Sequence, residues 1–222
     1  MTTAVRVPVG GAFLNGDLSR PAKAQGLVVF AHGSGSSRLS PRNQYVARVL
    51  EGRGLATLLI DLLTPHEEAI DEQTRHLRFD IPLLAGRLVA IVEWLKHQTD
   101  TATLPIGLFG ASTGGGAALM AAAARPQHVG AVVSRGGRPD LAGDALPRVK
   151  APTLLIVGEH DETVVELNRD AMSRMGAHVS LVIVPGATHL FEEPGTLERV
   201  ADLAATWFVQ HLQPAAHLSP AR

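Results

Sequence analysis

The sequence predicts an α/β domain with a mostly parallel central sheet and helices on both of its faces. Three observations support this prediction: the chain is 222 residues long, short apolar runs recur along it, and helical patterns separate the runs. Runs that are apolar throughout are typical of strands covered on both faces, whereas half-exposed strands alternate. Six such runs are found, at 26–31, 55–60, 106–109, 129–133, 153–157 and 179–184.

Helix signals lie between these runs. Ser40 followed by Pro41 predicts a helix start, because proline is tolerated in the first turn, where its missing N–H does no harm. Asp80 before Pro82 predicts a second start, and apolar side chains at helical spacing follow it. Further helices are predicted at 117–124, 164–175 and 197–212, and a short helix near the rim of the site is predicted within 66–79.

The two ends of the chain differ from this alternating pattern. Val5, Val7 and Val9 alternate before two glycines, which predicts an antiparallel hairpin that leads into the sheet. Residues 1–212 are predicted to form one domain, and residues 213–222, which include two prolines, are expected to fray. About twenty residues separate the runs at 129–133 and 153–157, which is too few for a lid domain.

Composition excludes several classes of protein. Hydrophobic residues make up 45% of the chain and charged residues 18%, which excludes a disordered chain. The 20 basic and 21 acidic residues nearly balance, so neither nucleic acid nor an anionic membrane is expected as a partner. There is no cysteine, which removes disulfides, thiolate metal sites and cysteine nucleophiles.

The expected location is cytoplasmic, and the expected partner is a small molecule. The N-terminal residues lack the basic-then-apolar layout of a signal peptide. Residues 101–124 are uncharged and long enough to cross a bilayer, but Pro105 and five glycines favour a strand, a tight turn and a small-residue helix. Nothing in the sequence predicts the oligomeric state.

Residues 110–114, Gly-Ala-Ser-Thr-Gly, match the G-x-S-x-G pattern of a strained strand-to-helix turn. The pattern directly follows an apolar run and directly precedes a small-residue helix, which is the context it requires. Glycines two positions either side of Ser112 allow the turn to be sharp and leave the hydroxyl exposed at the helix N-terminus. Ser112 is therefore the predicted nucleophile.

A serine hydroxyl needs a base and the base needs a carboxylate. His189 follows the last apolar run, at the carboxyl edge of the sheet where the loops should form a crevice. Asp161 follows the preceding run and is predicted to orient His189, with Glu159 as the alternative. Most other histidines are predicted on helices, at the opposite edge or in the tail: His66, His76, His97, His128, His178, His211 and His217.

The loop after the first apolar run of the sheet, His-Gly-Ser-Gly-Ser-Ser at 32–37, is predicted to help bind the oxyanion. Its expected donor is the N–H of Ser34, with Gly35 as the alternative, and the second donor is the N–H of Thr113. A phosphate-binding loop is the rival interpretation. Neither G-x-G-x-x-G nor G-x-x-x-x-G-K-[ST] fits there or at 110–116.

These residues resemble the α/β-hydrolase fold and, within it, the dienelactone-hydrolase-like family. The resemblance covers about 26–212 and rests on the His-Gly loop, the G-x-S-x-G turn and the chain order Ser112, Asp161, His189. The dienelactone hydrolases proper have a cysteine nucleophile. The serine at this position therefore implies serine esterase chemistry, and the missing lid implies an open site.

Three arginines lie in or near loops at the predicted catalytic edge, where a guanidinium can hold a substrate carboxylate. They are Arg38, Arg135 and Arg138, and Arg135 is the strongest candidate. Solvation or ion pairs within the protein are the alternatives. The nearby carboxylates are Asp61, Asp140 and Asp144.

The sequence therefore predicts a serine hydrolase that cleaves small carboxylic esters or lactones through an acyl-enzyme on Ser112. No metal or organic cofactor is expected. A thioesterase or a small peptidase would use the same three residues. A binding module on a hydrolase scaffold is the alternative from a different class of protein.

Overall fold

The computed structural model describes residues 2–213, so the tail predicted to fray at 213–222 lies outside them except for Gln213. A single eight-stranded sheet runs through the molecule. Its strands are β1 (Thr2–Val9), β2 (Ala12–Ser19), β3 (Leu27–Ala31), β4 (Ala56–Ile60), β5 (Ile106–Ala111), β6 (Val129–Arg135), β7 (Thr153–Gly158) and β8 (Val179–Val184).

The helices follow the strands in chain order. They are α1 (Pro41–Gly52), α2 (Pro65–Thr74), α3 (Ile81–Lys96), α4 (Thr113–Ala124), α5 (Glu162–Arg174) and α6 (Thr196–His211). Two 3₁₀ segments, Leu77–Phe79 and Pro139–Arg148, complete the described elements. The second 3₁₀ segment connects β6 to β7, so no lid domain is inserted there.

The strand order is β1-β2-β4-β3-β5-β6-β7-β8. β1 pairs antiparallel with β2, from Thr2 opposite Ser19 to Val9 opposite Ala12, and β2 pairs antiparallel with β4. All pairs from β4 through β8 are parallel. The predicted fold class and its N-terminal hairpin are confirmed. In the sheet, β3 lies between β4 and β5, so the chain first adds a strand on one side of β3 and then returns to add one on the other side. A crevice is expected where the strand order reverses in this way, beyond the carboxyl ends of β3 and β5.

Helices cover both faces of the sheet. α1 packs against α6 on one face, while α3 packs against α4 on the other. On this second face, the 3₁₀ segment at 139–148 contacts both α4 and α5. Successive side chains of β3 enter different cores: Leu27 and Val29 pack with the α3–α4 side, and Val28 and Phe30 with the α1–α6 side. This two-sided burial explains why the central strands are apolar throughout.

Both predicted helix starts are present. The Ser40 side chain accepts a hydrogen bond from the N–H of Asn43 (3.4 Å), and Asp80 accepts one from the N–H of Leu83 (3.0 Å). α4 begins at Thr113 rather than at the predicted 117. Three glycines in its first turn weaken the helix signal in the sequence, and each lies so close to neighbouring segments that a Cβ would not fit.

Two other predictions can be compared with the structure: the burial of β8 and the conformation of residues 101–124. β8 is only partly buried despite its apolar run, because it is an edge strand paired with β7 alone. Residues 101–124 fold into a turn, β5 and α4. Across residues 2–213, we find no helix with both the length and the apolar character needed to cross a membrane.

Candidate active site

Ser112 occupies the sharp turn between β5 and α4. Its backbone has φ 50° and ψ −122°, which is unfavourable for any residue with a side chain and costs about 1–3 kcal/mol. Backbone hydrogen bonds hold the turn: the Ser112 N–H donates to the carbonyl of Arg135 (3.2 Å), and its own carbonyl accepts from Gly115 (2.9 Å) and Arg138 (3.0 Å). These three backbone hydrogen bonds therefore hold Ser112 in its strained conformation.

Neighbouring backbone leaves no room for a side chain at either glycine of the G-x-S-x-G pattern. A Cβ at Gly110 would lie 2.5 Å from the carbonyl oxygen of Gly114, and one at Gly114 would collide with the carbonyl oxygen of Ala31. A Cβ at Gly33 would also lie 3.1 Å from the Cβ of Ser112. The end of β3 is thus packed directly against the turn that carries the serine.

The three residues predicted to act together are in hydrogen-bond reach of one another. His189 Nδ1 lies 2.5 Å from Asp161 Oδ2, and His189 Nε2 lies 3.3 Å from Ser112 Oγ. A carboxylate can only accept, so the Nδ1 atom carries the proton and Nε2 presents a lone pair to the serine hydroxyl. The side chain of His189 is 38% exposed and that of Asp161 is 16% exposed, so the imidazole is accessible from outside the protein.

Each member is carried by a loop at the carboxyl edge of the sheet. Ser112 follows β5, Asp161 follows β7 at the start of α5, and His189 follows β8. Because the parallel register brings these strand ends to the same edge, residues 77 and 28 positions apart meet.

Glu159, the alternative carboxylate, is directed elsewhere. Its Oε2 accepts a hydrogen bond from the N–H of Gly186 (2.8 Å) and so holds the turn before His189. Glu193 was not predicted from the sequence and holds the other side of the same loop, accepting from the N–H (3.1 Å) and hydroxyl (2.6 Å) of Thr188. These hydrogen bonds with Thr188 lower the pKa of Glu193. An exposed carboxylate, Glu159, and a half-buried one, Glu193, therefore position the loop that carries the imidazole.

The predicted oxyanion donors lie together, but one of them is engaged. The N–H of Ser34 donates to Thr113 Oγ1 (2.9 Å). Thr113 is the first residue of α4, so its own N–H has no partner within that helix. Within residues 2–213 the N–H of Gly35, the alternative donor, makes no hydrogen bond with the protein.

Two of the three candidate arginines are paired with carboxylates. Arg38 donates to Asp61 from its backbone (2.8 Å) and its Nη1 (2.5 Å), and its Nε lies 3.3 Å from Asp17. Arg138 makes a two-pronged contact with Asp140, at 2.8 and 2.7 Å, which raises the pKa of Arg138. Ion pairing, the alternative considered for both residues, is what the structure contains.

Arg135 differs from both. It is the last residue of β6 and only 7% exposed, and within residues 2–213 its guanidinium makes no hydrogen bond or ion pair. Burial, together with the charge of Arg42, lowers the pKa of Arg135 to about 10, so the side chain stays protonated at neutral pH. Arg42 itself was missed from the sequence because it lies on a predicted helix rather than in a loop.

Two cavities flank the loop at 33–36. The first, which we call the nucleophile cavity, has a volume of about 260 Å³ and contains Ser112 and His189 together with Arg42 and Arg135. The second, which we call the acidic cavity, has a volume of about 170 Å³. Its charged and titratable side chains are His32, Asp61, Glu68, Asp71, Glu72 and Arg78.

The sequence profile described as the dienelactone hydrolase family matches residues 14–211. The chain belongs to the dienelactone hydrolase family. A crystal structure of a dienelactone hydrolase from Anabaena variabilis is 62% identical, with a TM-score of 0.95 over 96% of this chain and 99% of that one. Est1E from Butyrivibrio proteoclasticus shares the fold at 19% identity, with a TM-score of 0.78 over 94% of this chain and 98% of that one.

Curated relatives from two strains of Mycobacterium tuberculosis carry a different name. Both are called "Putative phosphoribosyl transferase" and are 61% identical over 208 residues, 94% of this chain. The matched region is 46% of each relative, so the chain spans about half the length of these proteins.

This member of the dienelactone hydrolase family has serine at the strained turn and no cysteine. Among residues 2–213, no group of three or more histidine or carboxylate side chains is placed to ligate a metal ion.

Proposed function

We propose that the protein is a serine hydrolase that cleaves small carboxylic esters or lactones. The observation that carries the proposal is the continuous contact from Asp161 through His189 to Ser112, at 2.5 and 3.3 Å. A hydroxyl, an imidazole and a carboxylate in this arrangement activate a serine for attack on a carbonyl carbon.

In the first half of the reaction, Ser112 Oγ attacks the substrate carbonyl while His189 Nε2 takes the hydroxyl proton. Asp161 stabilises the resulting imidazolium through its contact with Nδ1. The tetrahedral intermediate then collapses, the C–O bond to the leaving alcohol breaks, and His189 returns the proton to that oxygen. The product of this half is an ester between the acyl group and Ser112.

In the second half, a water molecule replaces the alcohol. His189 removes a proton from the water as it attacks the acyl-enzyme carbonyl, and the same imidazole then protonates Ser112 Oγ as the acid leaves. In a lactone the leaving alcohol stays attached to the acyl group, so one hydroxy acid is released. The half-exposed position of His189 supports access by water.

The N–H of Thr113 at the start of α4 is the proposed first donor to the oxyanion, supported by the positive end of the helix dipole. The proposed second donor is the N–H of Ser34. Because that N–H now donates to Thr113 Oγ1, it must exchange the threonine hydroxyl for the oxyanion, and rotation of the Thr113 side chain allows this. Gly35 is the alternative second donor.

The name and extent of the Anabaena variabilis relative support a lactone or ester as substrate, since it is called a dienelactone hydrolase and is 62% identical over almost its full length. The absence of an inserted lid between β6 and β7 supports a small, water-soluble substrate. A thioesterase or small peptidase would use the same chemistry, so a matched set of ester, thioester and peptide substrates separates these activities.

The name of the curated relatives points to a different activity, phosphoribosyl transfer. We infer that this name refers to the half of those proteins that lies outside the match, because the matched half corresponds to the hydrolase family. Assays of this chain for phosphoribosyl transfer should therefore show none, while ester hydrolysis is retained.

Labelling with a fluorophosphonate tests the proposal. The reagent should form one adduct, located on Ser112 by peptide mass mapping, and Ser112→Ala should abolish it. The same variant should lower kcat for 4-nitrophenyl acetate by about 10⁴–10⁶. Ser173→Ala, which changes an exposed serine on α5, is the matched control and should keep both properties. No adduct at Ser112, or more than a tenth of the activity in Ser112→Ala, would favour a binding module or another nucleophile.

A further inference from the structure

The outer edge of β8 presents a row of backbone groups without partners. β8 is the last strand of the sheet and pairs with β7 alone. The carbonyls of His178 and Val184 accept hydrogen bonds from the β7 side. Because successive residues of a strand direct their backbone groups to opposite sides, those of Val179, Leu181 and Ile183 point away from β7. Within residues 2–213, these outward N–H and C=O groups make no hydrogen bond with the protein.

The side chains beside this edge are apolar and incompletely covered. Leu181 and Ile183 are half-buried. They pack with a small apolar cluster that is separate from the two main cores and is formed by Val157, Val164 and Val165. Met172, which is 39% exposed, lies on the same flank of α5 as Val165, since seven positions make about two helical turns. A further apolar surface placed against β8 would complete this cluster.

The other edge of the sheet, β1, is protected against pairing with a further strand. Pro8 has no N–H to donate, and the exposed Arg6 carries a charge over the ring of Phe13 (4.5 Å). Proline and charged side chains are the usual means of blocking an edge strand. β8 reads Val-Ser-Leu-Val-Ile-Val, without proline or charge, and its register with β7 has no bulge. Of the two edges, β8 is therefore the one suited to accept a strand.

We propose that the β8 edge pairs with β8 of a second copy of this chain, so that two eight-stranded sheets join into one of sixteen strands. The unpaired backbone groups specify a strand as the occupant. A second copy can supply it, because antiparallel pairing about a two-fold axis is self-complementary. With Leu181 on the axis, Val179 lies opposite Ile183 of the second copy, and every outward N–H and C=O group has a partner. No like charges meet along the paired strands, since β8 is uncharged.

The joined sheet leaves both candidate active sites open. The two copies of β8 run in opposite directions, so the carboxyl edges that carry Ser112 face opposite ways. The proposed pairing ends at Ile183, and the loop that carries His189 begins after Val184. We therefore expect the same kcat per chain in the dimer and in the monomer, and the proposal does not depend on the reaction at Ser112.

The mass in solution tests the proposal. Sedimentation equilibrium at about 1–100 μM protein should give twice the chain mass of 23.4 kDa. Leu181→Lys places two like charges opposite each other on the axis and should raise the Kd of the dimer at least about tenfold. Ala4→Lys adds the same charge at an exposed position of β1 and is the matched control, with an unchanged Kd. A monomer across this concentration range, or loss of the dimer in Ala4→Lys alone, overturns the proposal.

A second variant covers the case in which Leu181→Lys fails to fold. Val179→Pro adds no charge and removes one outward N–H that β7 does not use, and proline is tolerated at such a position of an edge strand. The variant should also raise the Kd of the dimer, while its circular dichroism spectrum stays that of the parent protein. An unchanged Kd in the folded Val179→Pro protein means that β8 is not the interface.

Crosslinking locates the two-fold axis. The chain has no cysteine, so Leu181→Cys introduces a single thiol. In the proposed pairing, the two Cα atoms at this position lie about 5.5 Å apart, within the range that a disulfide spans. Mild oxidation should give a disulfide-linked dimer, whereas Ala4→Cys should stay uncrosslinked. Crosslinking of Ala4→Cys but not of Leu181→Cys would place the interface at β1 and contradict the proposal.

Hydrogen exchange distinguishes a second copy from another segment of the same chain as the occupant. The amides of Val179 and Ile183 should exchange slowly in the dimer and at least about tenfold faster in Leu181→Lys. If the parent protein is monomeric and these amides still exchange slowly, a segment of the same chain covers β8, and the proposal is wrong.

Discussion

The nucleophile cavity and the acidic cavity share the loop at 33–36 but differ in how their buried charges are compensated. In the acidic cavity, the buried Asp71 is paired with Arg78 and the buried Asp61 with Arg38. In the nucleophile cavity, Arg135 is as deeply buried and has no partner within the described residues. The pairs on one side join segments that form the wall of the acidic cavity, whereas Arg135 on the other side forms no such pair.

Asp71 shows how completely a structural charge is compensated. Its Oδ1 accepts the N–H groups of Leu77 (2.7 Å) and Arg78 (3.2 Å), and its Oδ2 lies 2.5 Å from Arg78 Nε. Burial alone would raise the pKa of Asp71, but the hydrogen bonds from Arg78 and Leu77 outweigh it and hold the pKa below its usual value. The carboxylate thereby ties the end of α2 to the 3₁₀ segment at 77–79.

Among the variants that probe this comparison, the largest expected effect concerns the carboxylate that contacts His189. Asp161→Asn should lower kcat for every ester by about 10³–10⁴, because an amide no longer stabilises the Nδ1-protonated tautomer or the imidazolium of His189. Steady-state kinetics measure the change. The unfolding free energy of the variant should stay close to that of the parent protein, and activity above a tenth of the parent value would remove Asp161 from the proposed mechanism.

The second effect concerns the acidic cavity and its structural role. Asp71→Asn leaves the Arg78 guanidinium without its counter-charge and should lower the free energy of unfolding by about 3 kcal/mol, the lower end for a buried pair, since Arg78 is 23% exposed. Urea unfolding measures this change.

The control for Asp71→Asn is the double variant that also carries Arg78→Met. Removing both charges should recover much of the lost stability. A tenfold change in KM for 4-nitrophenyl acetate in the folded Asp71→Asn protein would contradict a purely structural role for Asp71.

The smallest effect depends on pH. Burial lowers the pKa of His32, outweighing its hydrogen bond with the Gly33 carbonyl and the charges of Asp61 and Glu68. The neutral ring accepts the N–H of Leu62 at Nε2 (3.1 Å), and protonation of that nitrogen would break this bond. Since the unfolded chain takes up the proton near the ordinary histidine pKa of about 6.5 and the folded protein does so only at lower pH, stability should fall as pH drops below that value.

Comparison with His32→Gln isolates this contribution from those of other titrating groups. Urea unfolding at pH 7.5 and pH 5 should show a larger loss of stability in the parent protein than in the variant. Equal losses in the two proteins would mean that His32 does not titrate differently in the folded and unfolded states.

Several local patterns in the sequence carried information that the structure retains. The apolar runs correspond to the buried strands, Ser40 and Asp80 start helices, and the glycines around Ser112 mark a turn that tolerates no side chain at those positions. The chain order of Ser112, Asp161 and His189 was readable because each residue lies in the loop after an apolar run, and parallel strands bring their carboxyl ends to one edge.

The pairing of charges could not be read from local patterns. Arg38, Arg135 and Arg138 look alike in sequence, yet two of them are neutralised by carboxylates and one is not. The hydrogen bond from Ser34 to the Thr113 side chain was equally invisible, since it joins residues 79 positions apart.

Residue types and their spacing along the chain were sufficient to predict the fold class, the strained turn, and the serine and histidine that meet there. Tertiary structure alone established which guanidinium is left unpaired, which carboxylate faces the imidazole and how the two cavities divide. Secondary structure depends on interactions between neighbours in the chain, whereas the energy of a buried charge depends on distances between segments that only the folded sheet brings together.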